Sequence, residues 1–269
     1  MGNTKIGWAD KTWGPVVGCT KTQHEGCRFC YAERLHNLRH IAFMHGKKMS
    51  MQYAKPFSNV QCFSNRLNQP LHWRKKRNIF VNSMSDLFHK DVPFVFLNRV
   101  WETMWACCDM PVRELLYENM PVHNFLILTK RPERLLEYEN YRKDRAWGTY
   151  FDNIWAGISI SNQRDLVEMM DSFMETVAMN KFISIEPMLE PIKIDIYIDY
   201  LRFVIIGCES GPNRRPFKNE WAETIVKTCL KRNVPVFYKQ GIENGKLTHY
   251  PAINGICYQQ FPRQLLEAE

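Results

Sequence analysis

The feature that most constrains the fold is a series of short, continuously apolar segments that alternate with helical segments. The apolar segments are rich in β-branched and aromatic residues, which is typical of strands buried on both faces of a parallel sheet. The candidate strands are residues 12–17, 78–82, 124–129, 153–159, 182–186, 203–207 and 235–239, and helical segments such as 164–179 and 218–231 separate them. This alternation predicts an α/β fold, namely a complete or partial (β/α) barrel of the TIM-barrel kind with about six to eight parallel strands.

We expect one domain over residues 1–269, because neither a linker rich in glycine, serine or proline nor an internal repeat divides the chain. A content of 45% apolar and 24% charged residues is that of a globular protein and excludes collagen-like and disordered classes. No apolar run approaches the ~18 residues needed to cross a bilayer, and the start of the chain lacks a secretion signal pattern. We therefore expect a cytoplasmic protein without a membrane partner. In that compartment, nine cysteines indicate reduced thiols or metal ligands rather than disulfides.

The chain has 36 Lys and Arg residues against 28 Asp and Glu, which gives a net charge of +8. This charge is compatible with a polyanionic partner but does not identify one. The densest basic run, residues 74–77, precedes a candidate strand, so it lies at the bottom of a barrel as a solvated turn or as a contact for a long polyanion. Arginines that follow strands would instead surround the mouth of the barrel, and these are Arg131, Arg134, Arg164, Arg214 and Arg215. Their position favours a nucleotide or nucleic-acid substrate. Trp13, Trp155 and Tyr238 would stack on its bases or pack in the core.

Polar residues follow the ends of most candidate strands. Because all strands of a (β/α) barrel end at the same face, we expect these residues to converge on one active site at its mouth. The alternative is that they are polar only because loops contact water. The set comprises Ser83, Ser85, Asp86, Thr129, Lys130, Arg131, Ser159, Ser161, Asn162, Glu186, Glu209, Ser210, Lys239 and Gln240.

Three cysteines directly after the first candidate strand give the sharpest local signal. Seven residues separate Cys19 from Cys27, and two separate Cys27 from Cys30. The last two lie at the start of a candidate helix, where the dipole and free amides favour anionic sulfur. A closed zinc site needs a fourth ligand, and its candidates are His24, His36 and Cys62. None of these forms a second ligand pair, so the spacing favours a [4Fe-4S] cluster with one open iron, with zinc and unligated thiols as the alternatives.

Seven segments together resemble a known family. They are 13–19 (WGPVVGC), 27–33 (CRFCYAE), 83–89 (SMSDLFH), 128–134 (LTKRPER), 184–188 (SIEPM), 207–211 (GCESG) and 238–240 (YKQ). The combination resembles a phage-associated family of three-cysteine-motif proteins of unassigned function, which is similar to the radical S-adenosylmethionine (SAM) superfamily. Phe29 stands beside the final cysteine, where that superfamily usually has an aromatic residue. Two departures are the longer first cysteine spacing and Cys208, which occupies a position where the family is expected to have glycine.

The resemblance implies a radical SAM type of barrel in which Cys19, Cys27 and Cys30 hold a [4Fe-4S] cluster. Its open iron would bind the amino and carboxylate groups of SAM. One electron, from a reductant such as flavodoxin or ferredoxin, would break the S–C5′ bond, and the product radical would abstract hydrogen from a substrate at the mouth. The residues implied to bind SAM are Ser83, Ser85 and Asp86 for its ammonium and hydroxyls, Lys130 or Arg131 for its carboxylate, and Ser159, Ser161 and Asn162 for its ribose.

The later strand ends supply the candidate catalytic residues Glu186, Cys208, Glu209 and Lys239. The two glutamates would bind SAM or substrate, or would form buried ion pairs with Lys130 or Lys239. The Cys208 thiol would return a hydrogen atom to a substrate radical, as a cysteine does in spore photoproduct lyase, or would be a small buried hydrophobe. The function predicted is modification or repair of a nucleobase, nucleotide or nucleic acid. The alternative is a non-catalytic module that binds nucleic acid or another partner and whose cysteines clip a loop with zinc.

Overall fold

The computed structural model describes residues 4, 6–108, 122–143, 152–211 and 213–266. The strands within these ranges are β1 (Lys11–Trp13), β2 (Val16–Val17), β3 (Gln61–Cys62), β4 (Arg77–Val81), β5 (His123–Thr129), β6 (Ile154–Ile160), β7 (Asn180–Ile185), β8 (Phe203–Gly207), β9 (Val236–Glu243), β10 (Lys246–His249), β11 (Ala252–Ile253) and β12 (Ile256–Cys257). The α-helices are α1 (Tyr31–Met44), α2 (Phe94–Ala106), α3 (Pro132–Lys143), α4 (Gln163–Glu175) and α5 (Asn219–Lys231). None of the helices described here is both long and apolar enough to span a bilayer.

Eight of these strands form one curled sheet in the order β1-β4-β5-β6-β7-β8-β9-β10. The first seven run parallel, and β10 is antiparallel to β9. Because β1 and β10 lie at the two edges, the described strands form a half-barrel, which is compatible with a partial rather than a complete (β/α) barrel. The predicted α/β class and parallel sheet are therefore confirmed.

The predicted first strand, residues 12–17, is interrupted in the structure. Gly14 and Pro15 separate β1 from β2, and Pro15 has no amide hydrogen with which to continue a sheet ladder. Only β1 joins the large sheet, where it pairs with β4. The short strand β2 pairs with β3 in a separate antiparallel ribbon, so the chain leaves the sheet just before the three cysteines.

The two faces of the half-barrel have different cores. Helices cover the convex face, where Leu97 of α2, Leu166 of α4 and Ile225 of α5 belong to the larger apolar cluster. On the concave face the smaller cluster includes Trp155, Phe182 and other residues of the sheet, and the terminal residues Trp8 and Leu265 close it. Side chains alternate along a strand, so positions further along β6 and β7 continue the same concave face to its carboxyl end. The concave face is therefore apolar in the middle of the sheet, and its polar residues lie at the carboxyl ends of the strands.

Candidate functional site

The carboxyl ends of β5, β6, β7 and β9 bring five polar side chains together on the concave face. Lys239 Nζ lies 2.7 Å from Glu186 Oε1, and the Ser184 hydroxyl donates to Glu186 Oε2 at 3.2 Å. The Lys130 ammonium donates to Ser159 Oγ, and that hydroxyl donates to the Glu186 carbonyl oxygen at 3.3 Å. We call these five residues the strand-end network. The ion pair between Glu186 and Lys239 is one of the alternatives predicted from the sequence. The side chain of Glu186 is 16% exposed and that of Lys239 is 23% exposed.

Gly207 at the end of β8 makes room for this network. A Cβ atom at that position would lie 2.6 Å from Glu186 Oε1, which is closer than real Cβ contacts allow. The Glu186 carboxylate therefore packs directly over the backbone of β8. A glycine is required here for a close approach rather than for a special backbone conformation.

The three-cysteine segment lies across the mouth, above the strand-end network. We call residues 19–30 the cysteine loop. At Gly26 an added Cβ would stand 2.5 Å from Ser161 Oγ and 3.2 Å from Lys130 Cε. The loop ends at Cys30, which is the N-cap residue of α1. The loop that carries the cysteines therefore packs, through Gly26, directly against two of the predicted strand-end residues.

All three cysteines of the loop are half-buried free thiols. The Cys27 sulfur lies 3.2 Å from Thr22 Oγ1. Burial raises the pKa of the Cys19 thiol to about 11; the Asp86 charge adds to this rise, and Arg131 opposes it. Within the described part of the chain, no group of three or more His, Cys, Asp or Glu residues is arranged to hold a metal ion. Three free thiols are the donor type that a thiolate-bound cluster requires, and a cluster shared by these three cysteines stays a prediction.

Asp86, predicted to bind SAM, is instead saturated by donors from its own surroundings. Its Oδ1 accepts hydrogen bonds from the Thr129 hydroxyl at 2.8 Å and from the Phe88 amide at 3.0 Å. Its Oδ2 accepts from the Lys130 amide at 3.0 Å and from Arg131 Nη1 at 2.9 Å. Four donors leave little acceptor capacity for a ligand, so Asp86 orients the end of β5.

Arg131 transmits this support to the first cysteine. Its Nη2 donates to the Thr20 carbonyl at 2.7 Å, and its Nη1 lies 3.6 Å from Cys19 Sγ. The Thr20 hydroxyl also lies 2.7 Å from Nε2 of the buried His89. The guanidinium that was predicted to bind a SAM carboxylate is therefore engaged in holding the cysteine loop, and Lys130 is the more available cation.

A second set of contacts holds the middle of the loop. Arg215 donates to both carboxylate oxygens of Glu209, from its backbone amide at 2.7 Å and from Nε at 3.1 Å. The same guanidinium contacts Glu25 Oε2 at 3.1 Å and lies 5.2 Å from the ring centre of Phe29. Burial tends to raise the pKa of Glu209, but the hydrogen bonds and charge of Arg215 outweigh it and the pKa is lowered. Glu209 therefore pairs with Arg215 and not with either predicted lysine.

The start of α4 holds the loop from the other side. His24 Nδ1 lies 3.0 Å from Asp165 Oδ1, and Asp165 Oδ2 accepts from the Ser161 amide at 3.1 Å. Asn162, predicted to bind ribose, is the N-cap of α4, because its side-chain oxygen accepts from the Asp165 amide at 2.7 Å. The Ser161 hydroxyl is buried and has no hydrogen-bond partner among the described residues. It is the one predicted ribose contact whose polar atom is unused in this part of the structure.

Ser83 and Ser85 also connect to the loop's flanks. The Tyr31 hydroxyl donates to the Ser83 carbonyl, which fixes the start of α1 to the end of β4. The Ser85 hydroxyl donates to the Val16 carbonyl at 2.9 Å. Both serines thus lie at the predicted mouth, and the contacts seen for them are with the chain itself.

Cys208 follows β8 and is only 3% exposed. Its amide donates to the Gln240 carbonyl at 3.2 Å, and the Gln240 side-chain amide donates back to the Cys208 carbonyl. Burial is the largest cause that raises the pKa of this thiol to about 11, so it is held as a neutral S–H group. Its role as a hydrogen-atom donor stays a prediction.

Three aromatic residues predicted as possible stacking surfaces are core residues. Trp13, Trp155 and Tyr238 are all 0% exposed. The stacking alternative is therefore wrong for this structure, because each ring is covered by the sheet's own packing.

Each arginine predicted around the mouth has a partner within the chain. Arg131 and Arg215 hold the cysteine loop as described. Arg134 and Arg164 each pair at 2.7 Å with a glutamate on their own helix, and Arg214 donates to a backbone carbonyl at 3.2 Å. These arginines lie where the sequence predicts them, but their described contacts are structural.

Sequence reasoning missed three residues that position the loop, namely Glu25, Asp165, and His24 as a hydrogen-bond partner of Asp165. One signal was available, and it concerned Asp165. Asp165 stands three residues after the helix-capping residue Asn162, which is the position where an acidic side chain reaches back in a capping box. The partners of Glu25 and His24 lie 190 and 141 residues away, so local sequence carries no signal for them.

Fold and site together define a class: an α/β half-barrel with a three-cysteine loop lying across the carboxyl end of its parallel sheet. A family model described as "Protein of unknown function (DUF5131)" matches residues 3–262, and the chain belongs to that family. No curated protein and no solved structure matches the chain.

Proposed function

We propose that this protein is a radical SAM enzyme whose cysteine loop holds a [4Fe-4S] cluster through Cys19, Cys27 and Cys30. The observation that carries the proposal is the packing of Gly26 against Ser161 and Lys130. That contact places the middle of the cysteine loop against the polar end of the half-barrel. A three-thiol cluster keeps one coordination position for an outside ligand, and a polar cleft beside it is what such a ligand requires.

When bound, the cluster would supply the one electron needed to cleave the S–C5′ bond of SAM, and hydrogen abstraction from the substrate would follow. The chain's residues bind and orient the reactants. Lys130 packs against Gly26 of the loop, and unlike Arg131 it makes no ion pair with a carboxylate among the described residues, so it is expected to balance the SAM carboxylate. The unpartnered hydroxyl of Ser161 is expected to bind a ribose hydroxyl.

We assign three of the residues predicted to bind SAM or substrate a different role, which is to support the cysteine loop. Asp86, Arg131 and Glu209 use their polar atoms to hold the cysteine loop, so we expect them to position the thiols. Glu186 and Lys239 are part-exposed at the mouth and are expected to contact the substrate or SAM. The electron would come from a protein such as flavodoxin or ferredoxin. A nucleobase in a nucleotide or nucleic acid is the proposed substrate, supported by the net charge of +8.

One contact favours the second candidate, a zinc-stabilised binding module. A carboxylate bonded to one histidine nitrogen is a frequent partner of a zinc-bound histidine, and His24 and Asp165 have this arrangement at 3.0 Å. Such a site would use His24 as the fourth ligand beside the three cysteines. Metal content separates the two functions.

The test is anaerobic purification followed by iron, zinc and sulfide analysis of four proteins: the unaltered chain, Cys27→Ala, Cys30→Ala and the control Cys62→Ala. Cys62 is an exposed thiol outside the loop. The proposal predicts a brown protein with about four irons per chain that persists in the control and is lost in both loop variants. The unaltered protein should also convert SAM to methionine and 5′-deoxyadenosine when dithionite is added. One zinc per chain, or iron that survives both loop substitutions, would overturn the proposal.

A further inference from the structure

A basic and apolar surface lies beside the mouth and overlaps the site described so far only where the cysteine loop meets α1. It is formed by residues 28–55, that is, α1 with the segments before and after it, and we call it the α1 surface. Six Lys and Arg residues against one acidic residue give this short stretch a net charge of +5, out of +8 for the whole chain. Arg34, Lys47 and Lys48 are exposed, and no acidic group lies within ion-pair distance of them among the described residues.

The same surface exposes large apolar side chains. Leu38, Ile41 and Met44 are 60%, 54% and 67% exposed on the outer side of α1. They follow one another at three-residue spacing, so they form one stripe along the helix. Helices of globular proteins normally turn such a stripe toward the core, and an exposed one marks a contact surface.

The opposite side of α1 is already covered by the chain. His36 Nε2 lies 2.9 Å from the Lys55 carbonyl, and Arg39 donates to the Tyr53 hydroxyl at 2.7 Å. His40 Nδ1 also lies 2.7 Å from the Tyr53 carbonyl. The helix is therefore fixed in this orientation, and the exposed stripe is a stable feature of the surface.

The α1 surface leads directly to the proposed reaction site. The helix begins after Cys30 and, at 1.5 Å per residue, extends about 21 Å away from the mouth. At the mouth end Phe29 is 59% exposed, and the guanidinium groups of Arg28 and Arg215 lie 5.5 Å and 5.2 Å from its ring. An exposed aromatic ring of this kind is suited to stack on a base.

We propose that the α1 surface binds single-stranded nucleic acid and guides it to the mouth. Phosphates would contact Arg34, Lys47 and Lys48, and bases would pack on the apolar stripe and on Phe29. The preference for a single strand over a duplex rests on the proposed function, because an enzyme that acts on a base inside a cleft needs that base outside a duplex stack. The arginines around the mouth are already paired, so the unpaired cations of α1 are the better phosphate contacts.

The test measures binding of a fluorescent oligonucleotide of about 20 nucleotides by anisotropy, as a function of salt. One variant combines Arg34→Ala, Lys47→Ala and Lys48→Ala. The matched control combines Arg74→Ala, Lys75→Ala and Lys76→Ala in the basic run at the bottom of the half-barrel. Both variants change the net charge from +8 to +5, so they differ only in where the charge is removed.

We expect the α1 variant to bind the single strand at least about tenfold more weakly and its log–log salt slope to fall by about 2, since each lost phosphate contact contributes ~0.7. The control should stay within about twofold of the unaltered protein, and the duplex form should bind more weakly than the single strand. Equal losses in both variants, stronger duplex binding, or binding to vesicles of anionic lipid but not to the oligonucleotide would overturn the inference. Binding needs neither SAM nor a reductant, so a protein that binds the strand through α1 but cleaves no SAM would refute only the proposed function.

Discussion

Replacing Asp86 with Asn tests whether this carboxylate supports the cysteine loop. The side chains of Asp86 and Arg131 are 8% and 12% exposed and their atoms lie 2.9 Å apart. An asparagine has one oxygen and one NH₂ group, so in either orientation two of the four present donors face another donor. Those donors are the Thr129 hydroxyl with the Phe88 amide, or the Lys130 amide with the Arg131 guanidinium.

The expected cost follows from burial. Removing one partner of a buried ion pair costs about 3–5 kcal/mol, because the other charge stays uncompensated. For a chain of this size, 1 kcal/mol shifts Tm by about 2–4 °C, so Asp86→Asn should lower Tm by about 6–20 °C. The released guanidinium also loses its orientation toward Cys19, so we expect a lower iron content even at temperatures where the variant is folded.

Thermal unfolding, urea unfolding and metal analysis provide the assay, with Asp199→Asn as the control. Asp199 pairs with Arg232 at 3.1 Å, but the two side chains are 62% and 48% exposed. Exposed pairs contribute about 0–1 kcal/mol, so this control should unfold almost like the unaltered protein. If Asp86→Asn costs no more than Asp199→Asn, the four-donor arrangement does not support the loop and the reasoning is refuted.

Three further predictions concern the loop and its surroundings. Gly26→Ala should displace the cysteine loop and lower the iron content, at a cost of about 1–3 kcal/mol in stability, whereas Gly211→Ala, with open space around it, should do neither in the same assays. Glu209→Gln should lower Tm at pH 7, because the pKa of this carboxyl is lower in the folded state than its ordinary value of 4.5, so the carboxylate stabilises the folded protein above pH 4.5. The difference in Tm from the unaltered protein should shrink as the pH falls below 4.5, and a difference that does not depend on pH would contradict this prediction. Mass spectrometry after iodoacetamide treatment at pH 8 should find exposed Cys257 alkylated well before Cys208, whose pKa of about 11 leaves about 0.1% thiolate; equal rates would contradict the buried, neutral thiol.

The strand-end network was predictable because it depends only on strand order and side-chain alternation. Lys130, Ser159 and Glu186 each follow or end a continuously apolar run, and parallel strands place such ends at one edge. The two-residue period then puts all three side chains on the concave face. Nothing beyond these rules is needed to bring Glu186 near Lys239.

The contacts that hold the cysteine loop were not predictable in the same way. Arg215 reaches Glu25 across 190 residues, and His24 reaches Asp165 across 141 residues. Each pair includes a residue of the cysteine loop, and the path of a loop is set by packing rather than by a repeating pattern. The expected pairing of Glu209 with Lys130 or Lys239 therefore failed, since the chain after β8 places Arg215 beside Glu209.

Electron paramagnetic resonance of the anaerobically reduced protein, recorded with and without SAM, tests the central claim most directly. A cluster held by only three thiolates offers its fourth iron to the amino and carboxylate groups of SAM, so the account predicts a [4Fe-4S] signal whose g values shift when SAM is added. A cluster signal that is identical with and without SAM, or a reduced protein with no iron signal at all, would contradict it.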